Sequence, residues 1–299
     1  MSPPPPPPPL DDAATTESAG PPPRDAGHCD VLVIGGGPAG STAAALLAEK
    51  GRRVVLLEKD RHPRFHIGES LLPQNLRLFD RLGIRDAVAA IGVYKPGARF
   101  VSDEHGKHVE FSFAAGLNQD YTYSFHVRRA EFDALLFDRA RASGAEMHEG
   151  VRVMDVELGG AAGGQGHRIV ARGADGAERV WTARFVIDAS GRDTFLAARM
   201  QAKRRNPHNN TAALYGHFRG VEPFGGQEDG NITIHLFDHG WFWVIPLPDG
   251  ITSVGVVASP AFFKRRTGSF EAFFREALAM SPSVSARIAK AELVSPVTA

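Results

Sequence analysis

A glycine-rich turn between an apolar strand and an alanine-rich helix constrains this chain more than any other feature: VLVIGGGPAGSTAAALLAEKG, Val31 to Gly51. Val31 to Ile34 is a continuous apolar run, the pattern of a parallel strand covered on both faces. The helix follows on Ala and Leu propensity and stops at Gly51. A second apolar strand, RRVVLLEKD, ends in Glu58, 18 residues beyond Gly40. Strand, Gly35-x-Gly37-x-x-Gly40 turn, helix, strand and terminal acid together predict a dinucleotide-binding unit. The glycines answer separate demands. Gly35 permits the tight turn, Gly37 lets backbone N–H groups reach a pyrophosphate, and Gly40 lets helix and strand pack closely. Glu58 is placed to accept from ribose hydroxyls. Pro38, Ala39 and Lys59 flank the same site.

Composition narrows the class. The 299 residues carry 34 basic and 34 acidic side chains, so formal net charge is zero. That removes any electrostatic case for nucleic acid or an anionic membrane surface as partner. Hydrophobic residues make up 43%, with 19 phenylalanines, enough for a large core. Cys29, the one cysteine, allows no internal disulfide, which suits the cytoplasm, and it opens the first strand as a small buried residue. No segment reaches the roughly 20 apolar residues of a membrane span, and MSPPPPPPPL lacks the basic-then-apolar order of a signal peptide. Residues 1–28 are rich in Pro and small polar side chains and read as a disordered tail. Its proline run is a spacer, or alternatively a ligand for a polyproline-reading domain.

Along the chain, the expected class is α/β. A three-layer Rossmann-type domain with a β-meander covers 29–200, an antiparallel-sheet domain covers 201–265, and 266–299 opens a helical region. Residues 73–91 read as helical with a break near Gly83. In RRAEFDALLFDRARASGAE, Phe132, Leu135, Leu136 and Ala140 share one helix face. VRVMDVEL, HRIVARG and RVWTARFVIDASG form the meander, across loops at GGAAGGQG and ADGAE. From about 205, TAALYGHFRG, NITIHLFD, WFWVIPL and ITSVGVVAS alternate as antiparallel strands, to which strands in 94–128 contribute. The third ends at Ile245-Pro246. Ser269 is a candidate cap for SFEAFFREALAM.

Two later features separate FAD from NAD. The helix begins VRRAEFDALL, and the meander turns at VIDASGRD. A Rossmann unit interrupted in this way resembles the FAD-binding domain of the group that includes aromatic hydroxylases, geranylgeranyl reductases and flavin-dependent halogenases. In that group an arginine just before the EFD helix lies near the dinucleotide; by position this is Arg129, with Arg128 as the alternative. Val153, Asp188 and Gly191 join the cofactor set. Trp241-x-Trp243-x-Ile245-Pro246 matches the Trp-x-Trp-x-Ile-Pro motif of flavin-dependent halogenases. RFHIGESLLP (Arg64 to Pro73) is similar to their flavin-contacting strap and brings in Ile67, Gly68, Glu69 and Ser70. YKPGARF puts Lys95 where that family has its essential lysine.

The resemblance runs from about residue 29 to the end and implies a chemistry. A separate NAD(P)H-dependent reductase supplies reduced FAD, oxygen gives a flavin hydroperoxide, and chloride or bromide attacks it to give hypohalous acid. Lys95 takes this up, by hydrogen bonding or as a haloamine, and passes it to an electron-rich aromatic or pyrrole substrate, free or carrier-protein-bound. Strand alternation puts both indoles on one face. They are either core or, with the rigid Ile245-Pro246, a wall between flavin and substrate. Two other readings stand beside this one: an FAD-dependent monooxygenase or geranylgeranyl-reductase-like oxidoreductase, and an inactive remnant. The remnant reading rests on the lack of any Gly-Asp dipeptide and of the family's Phe-Ser-Ser-Gly-type loop, which implies weaker FAD binding and an incomplete halide site. His66, His126, His217 and His235 have no metal-like spacing, and neither a zinc signature nor a Gly-x-Ser-x-Gly elbow is present.

Overall fold

The structure is a computed structural model that describes residues 24–117, 119–159, 166–204, 206 and 210–299. The proline run and most of the GGAAGGQG loop lie outside the described residues. The chain opens with β1 (Arg24–Ile34), α1 (Pro38–Ala48) and β2 (Val54–Glu58), then α2 (Asn75–Leu82) and α3 (Arg85–Ala90). Gly83 separates these last two helices at φ 66°, the left-handed conformation that ends a helix without a Cβ penalty. Next come β3 (Gly92–Lys95), β4 (Gly97–Ser102), β5 (Lys107–Ser112), β6 (Ser124–Val127), α4 (Arg129–Ala142) and β7 (Glu146–Glu149). The meander is β8 (Val151–Glu157), β9 (His167–Gly173) and β10 (Glu178–Asp188), followed by α5 (Phe195–Arg199). The remainder is β11 (Ala212–Arg219), β12 (Ile232–Phe237), β13 (Gly240–Leu247), β14 (Ile251–Ala258), α6 (Pro260–Phe263), α7 (Phe270–Ala279), α8 (Pro282–Ile288) and β15 (Glu292–Leu293).

The first sheet has the order β7-β2-β1-β10-β9-β8. Its inner strands β2, β1 and β10 are parallel, and β8 to β10 fold back as an antiparallel meander. Side chains alternate across β1 and so divide the core in two. Val31 and Val33 face α1, α2 and α4 with Leu76, Leu136 and Phe137. Leu32 and Ile34 pack on the other side with Val153, Ile169 and Trp181. This is the expected helix–sheet–meander layering. Cys29 is 3% exposed, and burial pushes its thiol up to about 11, as a core residue requires.

One boundary differs. β1 begins at Arg24, so residues 24–28 are not part of a disordered tail. They pair in parallel with Arg179 to Thr182 of β10. No apolar run marks them, because this end of the strand is largely exposed and backbone pairing with a long neighbour holds it.

The second sheet has the order β15-β11-β14-β13-β12-β4-β5, antiparallel except for the β12/β4 pair. One face, with Leu214, Phe242, Val244 and Val256, packs on Phe273, Phe274 and Leu278 of α7. Ser269 caps α7 by accepting from Ala272 N. The other face gathers Tyr215, Trp243, Ile245 and Leu247 around Ile67. β13 does not end at Ile245-Pro246; it continues to Leu247, with Pro246 opposite Thr252. β12 covers β13 only as far as Val244. Beyond that point no strand among the described residues pairs with that side of β13, and a proline without an N–H is tolerated there. Among the described residues no helix is long and apolar enough to cross a membrane.

Glycine requirements in the first turn can be separated by stability alone. A Cβ at Gly40 would lie 1.9 Å from the Gly35 carbonyl oxygen, whereas one at Gly37 would meet only an Arg64 nitrogen at 3.7 Å. Gly40→Ala should cost about 1–3 kcal/mol or more in urea unfolding, and Gly37→Ala should lie close to the parent.

Candidate functional site: a dinucleotide cleft, a strap and a buried lysine

The C-terminal ends of β1 and β2 and the start of α1 frame a cleft of ≈ 420 Å³. Gly35, Gly37, Pro38, Ala39, Glu58, Lys59, Arg129, Val153 and Gly191, all expected at the cofactor, line it. The α1 N-cap is Gly37, with extended backbone, no side-chain cap and no acidic residue in the first turn. Its first N–H groups and the positive end of the helix dipole therefore have no partner from a capping side chain. Among the described residues only an Arg64 nitrogen, at 3.7 Å, would meet a Cβ at Gly37. The cradle fits the pyrophosphate of a dinucleotide.

Glu58 is 3% exposed. It accepts from Gly36 N at 2.6 Å and Asp60 N at 2.9 Å, and Arg64 Nη2 lies 3.3 Å away. Burial alone would push its carboxyl up, but these N–H groups and the guanidinium outweigh it and hold the carboxyl below its ordinary value. Lys59 pairs with Asp193 beside the cleft. Six expected cofactor residues stand back from it: Gly40, Asp188 and four on the strap. Gly40 packs on Gly35. Asp188 turns into its own loop, accepting from Ser190 N at 3.0 Å and Leu196 N at 2.8 Å. The two candidate arginines point to different places. Arg129 lines the cleft, while Arg128 donates to Asp249 at 2.8 Å and to the Pro248 carbonyl at 2.9 Å.

The strap, residues 64–73, does not line this cleft at Ile67, Gly68, Glu69 or Ser70. It runs between the two sheets. Leu71 N donates to Phe125 O, and Val127 N to Glu69 O. Arg129 Nη1 donates to Ile67 O at 2.8 Å. Gly68, at φ 114°, leaves room for that guanidinium, since a Cβ would come within 2.8 Å of it. Glu69 is 3% exposed and meets His217 Nε2 at 2.8 Å.

Lys95 closes the strap from the β3/β6 ribbon. It is 3% exposed. Its Nζ donates to Ser70 Oγ at 2.8 Å and to Leu71 O at 2.9 Å, and the Phe113 ring centroid lies at 5.2 Å. Burial pushes its amine down to about 8. His126 is fully buried; burial and the Lys95 charge push it down to about 3, so it is neutral.

Trp241, Trp243 and Ile245 share the face of β13 that meets Ile67 of the strap. The indole centroids are 6.1 Å apart. Trp243 Nε1 donates to Ser253 Oγ at 3.0 Å, and its ring lies flat over Gly255, where a Cβ would come within 2.2 Å. Pro246, expected with them in a wall, falls on the opposite face by alternation. His66 lines the cleft, and no group of metal-ligating side chains is found among the described residues.

Sequence reasoning missed Asp133, fully buried between Arg64 and Arg129, and the cleft residues Arg152 and Arg192. One signal was available for Asp133: it lies four residues beyond Arg129 on α4, the spacing of a helical ion pair.

The Lys95 amine sets a pH signature. Folding lowers its pKa from 10.5 to about 8, so between these values the unfolded chain binds more protons and native stability rises with pH. The destabilisation from the buried charge is complete below pH 8. Relative to Lys95→Met, the parent should therefore gain on the order of 3 kcal/mol between pH 7 and 10.5, measured by urea unfolding. A constant difference would mean an ordinary lysine.

The comparisons with known proteins agree with this geometry. A family model described as an FAD binding domain matches residues 28–276. A tryptophan 2-halogenase of Chondromyces crocatus is 35% identical over 259 residues, 84% of this chain and 48% of the relative. A 1H-pyrrole-2-carbonyl-(peptidyl-carrier protein) chlorinase of Pseudomonas fluorescens is 30% identical over 291 residues, 89% of this chain and 64% of the relative. The myxobacterial chondrochloren halogenase CndH, an FAD-dependent halogenase of known structure, superposes with a TM-score of 0.82 at 33% identity, covering 90% of this chain and 61% of that one. The chain thus spans about half to two-thirds the length of these relatives.

Proposed function

The chain belongs to the FAD-binding domain family, with flavin-dependent halogenases among its relatives, and from that premise we propose that it carries the cofactor site and the halogen-delivering lysine of a flavin-dependent halogenase. Reduced FAD, when bound, supplies the oxygen-activating chemistry that converts chloride or bromide into hypohalous acid. In this reading a separate NAD(P)H-dependent reductase provides the reduced cofactor. The named relatives act on tryptophan and on a carrier-bound pyrrole. The substrate class carried over is therefore an electron-rich aromatic or pyrrole ring, free or held by a carrier protein.

The chain's own residues divide the work. The α1 N-terminus and Gly37 receive the pyrophosphate, Glu58 takes a ribose hydroxyl, and Arg129 faces the cleft. The observation that carries the proposal is Lys95. It is buried, tied to the strap by two hydrogen bonds, and its amine is pushed down to about 8. Near neutral pH a useful fraction is free amine and the rest is ammonium. The amine can attack the halogen of hypohalous acid: an N–halogen bond forms, the O–halogen bond breaks, and the amine proton leaves with the hydroxide as water. The ammonium can instead donate to the acid's oxygen and make the halogen more electrophilic. Trp241, Trp243 and Ile245 stand on the strap side of the sheet, which supports their role as the wall that separates flavin from the ring to be modified.

Product mass decides. With reduced FAD, oxygen, chloride and an indole, phenol or pyrrole acceptor, the protein should give a product with the chlorine isotope pattern. Lys95→Ala should abolish that product and leave FAD oxidation intact. A gain of one oxygen would instead mark a monooxygenase, and absence of FAD binding would leave only the fold.

A further inference from the structure

Asp133 is the one acid of α4 that is completely shielded from solvent, and the chemistry proposed above gives it no part. Its Oδ1 accepts from Arg129 Nε at 2.7 Å. Its Oδ2 accepts from Arg129 Nη2 at 3.0 Å and Arg64 Nη1 at 3.2 Å. A carboxylate this deep is tolerable only with such partners. Each arginine reaches further. Arg64 Nη2 approaches Glu58, whose carboxylate holds the N–H groups of Gly36 and Asp60. Arg129 Nη1 holds the Ile67 carbonyl of the strap, and a little further on the same strap presents Ser70 Oγ and Leu71 O to Lys95. Asp60 adds a third acid, its Oδ2 4.0 Å from Arg64 Nε. That is beyond hydrogen-bond distance, so among the described residues Arg64 Nε has no hydrogen-bond acceptor, and both arginines line the cleft.

We propose that Asp133 is the positioning residue that registers the dinucleotide turn against the strap holding Lys95. One carboxylate fixes two planar forks, one turned toward the glycine turn and one toward the strap. Arginine suits this better than lysine, because its fork sets direction as well as charge. The consequence is that a single neutral substitution loosens both ends together: the arginines lose their aim into the cleft, and the strap loses its tie to α4. The inference rests on the cleft being the FAD site. It does not depend on the reaction performed there.

The test uses the whole chain, FAD titration by flavin fluorescence, and acylation of Lys95 by an amine-reactive reagent followed by mass spectrometry, with exposed Lys50 as internal standard. Asp133→Asn should raise the FAD Kd about tenfold or more and speed Lys95 labelling several-fold, well below its melting temperature. Asp138→Asn, a surface acid of the same helix, should change neither. In an Arg129→Gln background, Asp133→Asn should cost clearly less, about threefold or below, because its main partner is already gone. A merely structural acid would cost the same in both backgrounds. If Asp133→Asn does not fold, Arg129→Lys keeps the charge on Asp133 and removes the fork; it should likewise weaken FAD and expose Lys95. Equal losses in the two backgrounds, unchanged FAD affinity in a folded variant, or unchanged Lys95 labelling would each overturn the proposal. Failure of the parent to bind FAD would instead strike the cofactor reading itself.

Discussion

Residues 64–73 have almost no secondary structure of their own, yet they lie between two sheets and take backbone partners from β6 and α4. Their ladder is short. Leu71 and Glu69 exchange bonds with Phe125 and Val127, and Arg129 takes the Ile67 carbonyl. Everything that distinguishes this chain from a plain dinucleotide fold refers back to that segment. Lys95 is held by it, Trp243 and Ile245 pack towards Ile67, and His217 reaches Glu69. Buried polar backbone without partners is costly, so the strap has little freedom to sit elsewhere.

The glycine turn shows the same economy. Gly35 and Gly40 are glycine because the protein packs against itself there; Gly37 is glycine although the protein leaves it alone. The first two secure the fold, and the third leaves a helix end bare, as the proposed pyrophosphate site requires. Family membership and geometry agree on the cofactor for this reason.

Much of this was legible in the sequence because its signals are local. The apolar run at Val31 to Ile34, the αL break at Gly83 and the Ser269 cap depend on near neighbours. Alternation put Trp241 and Trp243 on one face, and a family motif, not periodicity, singled out Lys95. What escaped depends on distant partners. Arg24 to His28 become strand only because β10 extends beside them. Pro246 is tolerated only because β12 has ended. Asp133 reads as one more helix-surface acid until Arg64, 69 residues earlier in sequence, folds over it. Asp188 accepts from Ser190 N and Leu196 N of its own loop, a pairing no periodicity announces.

The central claim is that the strap is a fixed partition between cofactor cleft and lysine, and native-state hydrogen exchange tests it most directly. The amides of Leu71 and Val127 should exchange only through global or near-global opening, as slowly as core amides such as Leu32, and FAD should slow all of them together. Exchange at Leu71 and Val127 as fast as in exposed loops would contradict the account, because a strap that opens freely cannot set the surroundings of Lys95.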